Sequence, residues 1–454
     1  MIDTAVLRDG LARVCQRAGI GALTGEPQRL TGGAVMESWR FSAGGSDYVL
    51  RRAPSLAFME ARPYGHAVEA ALIEAARAKG VTAPKVVAVL EEADGLGSGF
   101  IMRALPGTAD PKVILGCDDP DRLLREIACD LARIHRLRQS DVPEGVPVMD
   151  YRAAIADLKT QFMEAGGDRP IIALGLRWLE GNCPPQLEPV LNHGDYRMGN
   201  LLVRGSALTG VLDWELAHFG DRHEDLAFGC MAVWRFARYD RPALGLGSIE
   251  DYLAAYEAEA GVKVDPSRFR FWTIYRTVWW ALGCLKMAAQ WRSGADRMLE
   301  RVVISRRTSE QELDLLLLLE EDAPEAERAR LLPPKLFAMP TLPGEASDRE
   351  IVQAVREWLE TLKDKVSGHD RFQLAVARNA LGMVVRNMTF LPAEWDRTLA
   401  AMILKGEITL NDEHLLAKLR FEALTKLEAD VPKYPALEAA RKTWPGHAEA
   451  EEEE

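Results

Sequence analysis

The sequence predicts an α+β fold that is followed by an additional all-α bundle. Two apolar runs, at 201–203 and 208–212, flank a Gly205–Ser206 turn, a pattern typical of a β-hairpin. Residues 351–362 instead carry apolar side chains at intervals of three and four, which is the spacing of an amphipathic helix. Prolines clustered between 333 and 343 separate the two regions, because proline cannot continue a helix.

The composition is that of a globular protein with two or three cores: of 454 residues, 48% are hydrophobic and 27% are charged. The net charge of −12 argues against general nucleic-acid binding, which clustered Lys and Arg drive.

The apolar stretches around 278–284 and 315–319 are far shorter than the roughly 20 residues that span a bilayer, so we expect no membrane partner. The N-terminus contains acids and no apolar signal-peptide core, which predicts a cytoplasmic protein. The six cysteines lack C-x-x-C spacing, so we expect no zinc site.

The N-terminal region begins with a glycine-bearing turn between two short strands. Gly32 and Gly33 lie between Leu30 and the run 37–41, where backbone N–H groups can approach phosphates. On their own, two glycines indicate only a hairpin. The next strand, at 48–52, ends in two arginines.

A helix and a further strand follow in the N-terminal region. The helix runs from about residue 66 to 79 and carries Glu69 and Glu74, which by themselves indicate only an exposed acidic face. Phe100–Gly107 is an apolar strand that ends in Pro-Gly, and alone it indicates an ordinary strand and turn.

The predicted hairpin carries the polar residues that point to chemistry. Asn200 precedes its first strand and Asp213 ends its second, so we expect these side chains to lie side by side. Amide and carboxylate oxygens suit Mg²⁺. Asp195, on the preceding loop, can orient an attacking hydroxyl and accept its proton. A lone His-Gly-Asp triplet favours a simple turn, but the whole constellation favours phosphoryl transfer.

The chain resembles the aminoglycoside phosphotransferase family. The resemblance rests on His193-Gly194-Asp195 with Asn200 five residues after the Asp, on Asp213-Trp214-Glu215, and on Gly220-Asp221 with Asp225-Leu226-Ala227. It implies a bilobal, protein-kinase-like fold, with the N-lobe at 1–103 and the C-lobe with its catalytic loop at 104–331. It also implies that Asp225 holds the catalytic loop in place.

The same resemblance implies a role for each residue of an ATP- and Mg²⁺-dependent site. The implied residues are Asp195, Arg197 and His193 for catalysis; Gly32, Gly33, Arg51, Glu69, Met102 and Ala104 for binding ATP; and Asn200, Asp213 and Glu215 for binding Mg²⁺.

Two points in the nucleotide site stay open at this level. Arg52 is an alternative to Arg51 as the phosphate-binding cation. Family members usually carry a small polar residue after the glycines, whereas this chain has Val35-Met36, which puts a hydroxyl contact to the terminal phosphate in doubt.

The C-terminal region is predicted as a linker at 332–345, a helical bundle at 346–447 and a disordered acidic tail at 448–454. Asn379, Arg378 and Arg386 are its notable polar residues, and we expect them to serve packing and solubility. The bundle resembles a helical domain that accompanies kinases of this family. Self-association and binding of a protein partner are the two roles we consider for it.

The phosphate acceptor is expected to be a small-molecule hydroxyl. The pairing of this kinase type with the helical bundle resembles kinase-like enzymes of acyl-CoA metabolism, so a hydroxyacyl-CoA is the leading acceptor. An aminoglycoside or another small alcohol is the alternative. A nucleotide-binding pseudokinase scaffold is the alternative from a different class, and the presence of Asp195, Asn200 and Asp213 favours the active enzyme over it.

Overall fold

The computed structural model describes residues 2–30, 36–53, 55–60, 62–296, 298–332, 348–386 and 393–444. The chain forms two compact units. The first unit comprises residues 1–150 and 185–269, and the second unit comprises residues 151–184 and 270–454.

All strands of the described residues lie in the first unit. They are β1 Leu23–Arg29, β2 Glu37–Ala43, β3 Ser46–Arg52, β4 Val86–Val89, β5 Gly99–Arg103, β6 Val190–Asn192, β7 Leu201–Arg204, β8 Ala207–Val211 and β9 His218–Gly220.

Helices occur in both units. They are α1 Thr4–Ala18, α2 Leu56–Glu60, α3 His66–Ala78, α4 Pro111–Ile114, α5 Pro120–Ile134, α6 Tyr151–Glu164, α7 Pro170–Asn182, α8 Arg222–Cys230, α9 Ile249–Ala260, α10 Pro266–Ser293, α11 Leu299–Ser305, α12 Thr308–Leu319, α13 Glu325–Arg328, α14 Asp348–Glu360, α15 Gly368–Arg386, α16 Ala393–Lys405, α17 Leu415–Asp430 and α18 Pro435–Thr443. None of the helices in the described ranges has the length and apolar character needed to cross a bilayer.

Within the described residues, β1 to β5 form one antiparallel sheet in the order β1-β2-β3-β5-β4. Helix α1 begins at the Asp3 cap, whose carboxylate accepts the N–H of Ala5, and packs Leu7 and Leu11 into a core with Leu50. The alternation of β3 turns Arg51 and Arg52 to opposite faces of the sheet. The sheet therefore presents one of the two arginines to each side.

The predicted hairpin is present as β7 and β8. Leu201 pairs with Val211, and the N–H of Leu212 donates to the carbonyl of Asn200 at 2.8 Å. The pairing brings the chain segments of Asn200 and Asp213 together, as the sequence predicts.

The second unit is all-α, which confirms the predicted class of an α+β fold with an additional helical bundle. Its boundaries differ from the predicted ones, however. Helices α7 and α12, which we assigned to the C-lobe at 104–331, pack against α16 and α17 of the predicted bundle at 346–447. Arg420 donates to Glu320 at 2.7 Å, and the Tyr434 hydroxyl donates to Asp314 at 2.5 Å. The proline cluster marks a change in local sequence, but the boundary of the compact unit depends on which helices pack together.

The predicted linker lies outside the described residues except for Leu332, and the predicted acidic tail at 448–454 lies outside them entirely.

Asp225 of α8 anchors the loop that follows β6. Its carboxylate accepts the N–H of His193 at 2.6 Å and the N–H of Gly194 at 2.9 Å. His135 Nε2 lies 3.4 Å away, and burial lowers the pKa of His135, so at neutral pH the two backbone N–H groups are the stronger partners. The prediction that Asp225 holds this loop is confirmed by these contacts.

The charge of Asp225 should make a measurable contribution to folding. Burial alone would raise its pKa, but the hydrogen bonds from His135 and Gly194 hold it at about 2, below the ordinary 3.8. A depressed carboxyl pKa gives stability that is present above pH 3.8 and is lost as the pH falls toward 2. We expect the difference in unfolding free energy between the natural chain and Asp225→Asn to shrink by about 2 kcal/mol between pH 5 and pH 2. Urea titrations at each pH measure it, and a constant difference would refute the assignment.

Trp444 should be a main support of the second unit. Its side chain is buried, its Nε1 donates to Glu320 at 2.7 Å, and the Arg420 guanidinium lies over its ring at 5.2 Å. Trp444→Ala should cost about 3–5 kcal/mol of unfolding free energy, because it leaves a cavity and removes a partner of the partly buried Glu320 carboxylate. Trp395, 65% exposed, is the matched control, and its replacement by Ala should cost at most about 0.5 kcal/mol in the same denaturation experiment. Equal losses would contradict this account.

Candidate active site

Gly194 gives the loop after β6 its shape. Its φ of 82° lies in the left-handed region, and a Cβ on it would sit 2.3 Å from the carbonyl oxygen of Leu216. Glycine is therefore the residue that allows this close backbone approach. The turn directs Asp195 away from its two anchored neighbours.

The Asp195 carboxylate is held by two side chains. Arg197 Nε donates to Oδ1 at 2.7 Å, and Asn200 Nδ2 donates to Oδ2 at 2.5 Å. Burial raises the pKa of Asp195 and the Asp213 charge adds to this, while Arg197 acts in the opposite direction. A carboxyl with a raised pKa and a fixed orientation suits a general base.

His193 lies next to Asp195 but is engaged with the backbone. Its Nε2 lies 3.1 Å from the carbonyl of Leu212, and its Nδ1 accepts the N–H of Asp195 at 3.3 Å. Burial lowers its pKa, so the ring is neutral, with the proton on Nε2. Because both ring nitrogens are used, the structure makes His193 a positioning residue for the loop, whereas the sequence suggested a catalytic one.

Asn200 and Asp213 flank the hairpin at its open end. The Asn200 amide nitrogen donates to the carbonyl and the carboxylate of Asp195, so the amide oxygen is the atom that can hold a cation. Asp213 has a φ of 68°, a strained backbone for a residue other than glycine. Such strain occurs where the surroundings fix a side chain in place.

Arg51 lies among three carboxylates. Its Nη2 contacts Asp213 Oδ1 at 2.5 Å and Glu215 Oε2 at 2.8 Å, and its Nε lies 3.4 Å from Glu69 Oε1. Burial alone would lower the pKa of Arg51, but the surrounding carboxylates raise it above its usual value. Burial raises the pKa of Glu69 to about 7 even beside this cation. The predicted Arg51–Glu69 pair is present.

Arg52, the alternative phosphate-binding cation, lies on the other face of the sheet. It contacts Glu37 at 2.5 Å and donates to the carbonyl of Leu96 at 2.9 Å. The structure therefore favours Arg51 for the site.

A cavity of about 250 Å³ adjoins this cluster. It lies within the first unit, and its lining includes Arg51, Glu69, Asp213, Phe100, Met102 and Ala104. The polar end holds the ion cluster, and the β5 end is mainly apolar. This arrangement suits a ligand with a charged end and a flat, apolar end.

Ala104, one of the residues predicted to bind ATP, has its backbone N–H engaged within the protein. Its N–H already donates to the carbonyl of Asp47 at 3.0 Å, since the strand pairing continues past β5. The N–H of Leu105, one residue further, makes no hydrogen bond to any described residue. Leu105 also lines the cavity, so its N–H can donate to a ligand there. No sequence pattern indicates where the strand pairing ends.

The glycines of the predicted phosphate-binding turn, Gly32 and Gly33, lie outside the described residues, as does Val35. The N–H of Leu30 donates to the carbonyl of Ser38 at 2.9 Å, so the two strands that flank the turn are paired. Met36 is buried.

Three side chains of the site escaped the sequence analysis. Arg62 contacts Glu215 at 2.9 Å, and the Tyr64 hydroxyl donates to the carbonyl of Trp214 at 2.5 Å. Trp234 lies 4.2 Å from the Arg197 guanidinium, which stacks on its ring. These contacts join residues far apart in sequence, and no spacing rule predicts them.

The donor set fits a magnesium ion. Within the described chain, His, Cys, Asp and Glu form no group of three or more that is arranged to hold a metal on its own. Mg²⁺ does not need such a cage, because it binds one or two carboxylates together with waters and phosphate oxygens. Burial raises the pKa of Glu215 and the Asp213 charge adds to this, while Arg51 and Arg62 act in the opposite direction. The oxygens of Asn200, Asp213 and Glu215 match this chemistry.

Comparison with known proteins places the chain in a family. The family profile described as the phosphotransferase enzyme family matches residues 26–272, more than half of the chain. The mouse protein (Mus musculus) named acyl-CoA dehydrogenase family member 10 is 27% identical over 238 residues, which are 47% of this chain and 22% of the mouse protein. The chain thus spans about a fifth of that relative's length.

Two solved structures were compared with the chain, and the first of them shows a similar fold. A protein from Ralstonia eutropha assigned as an aminoglycoside phosphotransferase superposes with a TM-score of 0.56 at 20% identity, over 71% of this chain and 99% of that chain. A macrolide 2′-phosphotransferase from Brachybacterium faecium gives a TM-score of 0.46 at 23% identity, over 63% of this chain and 93% of that chain. The likeness to the Ralstonia structure confirms the predicted protein-kinase-like fold.

The profile match covers the loop after β6, the β7–β8 hairpin and the Arg51 cluster, so the chain belongs to the phosphotransferase enzyme family.

Proposed function

We propose that this phosphotransferase moves the γ-phosphoryl group of ATP to a hydroxyl group of a small molecule. The observation that carries the proposal is the fixed carboxylate of Asp195, oriented from both sides by Arg197 and Asn200. Such a carboxylate can orient the attacking hydroxyl and take its proton as the new oxygen–phosphorus bond forms and ADP leaves.

The ion cluster supplies the electrostatic part of the proposal. Arg51, fixed by Glu69, is the cation for the phosphate groups, and Leu105 offers its N–H to the purine. Asn200, Asp213 and Glu215 would hold Mg²⁺, which would neutralise charge on the transferred group. Arg197 stacks on Trp234 and keeps Asp195 in one orientation.

The proposed acceptor is a hydroxyl on the acyl chain of a hydroxyacyl-CoA. The support is the mouse relative, whose name places it among acyl-CoA dehydrogenases and of which this chain matches 22%. An aminoglycoside or another small alcohol is the alternative acceptor.

Replacing the base should slow transfer strongly and preserve nucleotide binding. Incubation with Mg-ATP and a panel of 4-hydroxyacyl-CoAs, aminoglycosides and simple alcohols, followed by mass spectrometry, should yield a phosphorylated acyl-CoA. Asp195→Asn should lower kcat by about 10²- to 10⁴-fold, because it removes the proton acceptor and keeps the shape. Asp121→Asn, an exposed acid of α5, should leave the rate unchanged.

The acceptor panel separates the alternatives. Transfer only to an aminoglycoside or alcohol would keep the chemistry and reject the acyl-CoA acceptor. Tight ATP binding without transfer to any acceptor would favour a pseudokinase scaffold, and an Asp195→Asn variant of full activity would reject this base.

The two neighbouring arginines should respond in opposite ways to substitution. Arg51→Gln should weaken MgATP binding about tenfold or more in isothermal titration calorimetry, a loss of about 1.4 kcal/mol, because the phosphate cation is gone. Arg52→Gln should leave ATP affinity unchanged and cost about 3–5 kcal/mol of unfolding free energy, since it strands the buried Glu37. Weakened ATP binding in Arg52→Gln with none in Arg51→Gln would reverse the assignment.

A further inference from the structure

Helices α14 and α15 of the second unit pack as an antiparallel pair with a polar seam. Arg378 of α15 forms an ion pair with Glu360 near the connecting turn. One helical turn further along each helix, Arg356 of α14 faces Gly382 of α15. The contacts run in opposite directions along the two helices, which establishes the antiparallel arrangement.

Two arginines meet over Gly382. A Cβ placed on this glycine would lie 2.9 Å from Arg386 Nη1 and 3.5 Å from Arg356 Nε. Glycine inside a helix costs roughly 1 kcal/mol relative to alanine. Here it leaves the space that the Arg386 guanidinium occupies, next to Arg356. We call Arg356, Arg386 and Gly382 the α14–α15 arginine site.

The polar groups of this site are incompletely paired within the described chain. Arg356 Nη1 donates to Gln353 at 3.2 Å, whereas its buried Nε has no hydrogen-bond partner among the described residues. Arg386 Nε donates to the carbonyl of Ala429 at 2.7 Å, and its buried Nη2 likewise lacks a partner there. Neither arginine forms an ion pair with a described carboxylate. The site therefore contains two unpaired N–H donors, and within the described residues no carboxylate forms an ion pair with either arginine.

Asp430 is the acidic group whose charge acts on Arg386. Its Oδ1 accepts Arg306 Nε at 2.6 Å, whereas its Oδ2 is buried without a hydrogen-bond partner among the described residues. Burial lowers the pKa of Arg386, and repulsion by Arg356 adds to the effect. Asp430 also pairs with Arg306, so within the described residues no carboxylate is paired with Arg356 and Arg386 alone.

We propose that the α14–α15 arginine site binds an anion of the phosphate class. Two guanidinium groups that converge over a glycine offer several N–H donors at different angles, which matches a tetrahedral anion with three acceptor oxygens. A bound phosphate would neutralise the repulsion and pair the two buried donors. In a chain of net charge −12, the site gathers positive charge at one place. The anion is either free inorganic phosphate or the phosphate group of a nucleotide. None of the residues of this site belongs to the candidate active site.

Calorimetric titration of the full chain at low salt tests the proposal. The two probes are inorganic phosphate and adenosine 3′,5′-bisphosphate, which carries two phosphate monoesters. Arg356→Gln/Arg386→Gln should weaken binding at this site by about tenfold or more. The control Lys365→Gln/Arg371→Gln removes two exposed charges, one from the turn between α14 and α15 and one from α15, and should leave binding intact.

The two probes distinguish the sources of the anion. Binding of both through the arginines would show that the phosphate group is sufficient, whereas binding of the bisphosphate alone would identify a nucleotide. An equal loss in the control variant, or identical titrations of the natural chain and the arginine variant, would overturn the proposal.

Gly382→Ala provides a second variant in case the arginine variant fails to fold. It adds only a methyl group, which would lie 2.9 Å from Arg386 Nη1 and displace that guanidinium group, while the 3.5 Å to Arg356 Nε is ordinary contact. Far-UV circular dichroism should show unchanged helix content. We expect it to weaken phosphate binding. An unchanged affinity in a folded Gly382→Ala protein would reject the site.

Discussion

The ion cluster around Arg51 is the constraint on which the candidate active site depends. One buried cation faces three carboxylates from two places in the sequence: Glu69 on α3, and Asp213 and Glu215 after β8. Buried acids of this density repel one another strongly in a medium of low dielectric constant. The cluster therefore holds together only while Arg51 or another cation balances it, which makes the sheet and the hairpin depend on each other.

The loop with Asp195 is fixed by a second, independent set of contacts. Asp225 holds the backbone on one side, and Gly194 permits the close approach to Leu216 on the other. Asp195 then needs only Arg197 and Asn200 to set its orientation. The base is thus supported by rigid backbone, which is how a site keeps its geometry without help from a ligand.

Local patterns predicted more of this site than of the fold around it. The hairpin, the Arg51–Glu69 pair and the role of Asp225 follow from spacing and from the family motifs. The engagement of Ala104 with Asp47 and the ring contacts of His193 do not, because they depend on which backbone groups the strand pairing leaves free. The division into units could not be predicted from the sequence either, because it depends on the packing of α12 against α17, and no local sequence pattern indicates that contact.

A crystal structure of the full chain with Mg²⁺ and a non-hydrolysable ATP analogue tests the central claim most directly. The account predicts a metal ion bound to Asn200 and Asp213, the Arg51 guanidinium on a phosphate oxygen, and Asp195 facing the terminal phosphate. A nucleotide bound elsewhere, with Arg51 still on the three carboxylates and no metal at Asn200, would contradict it.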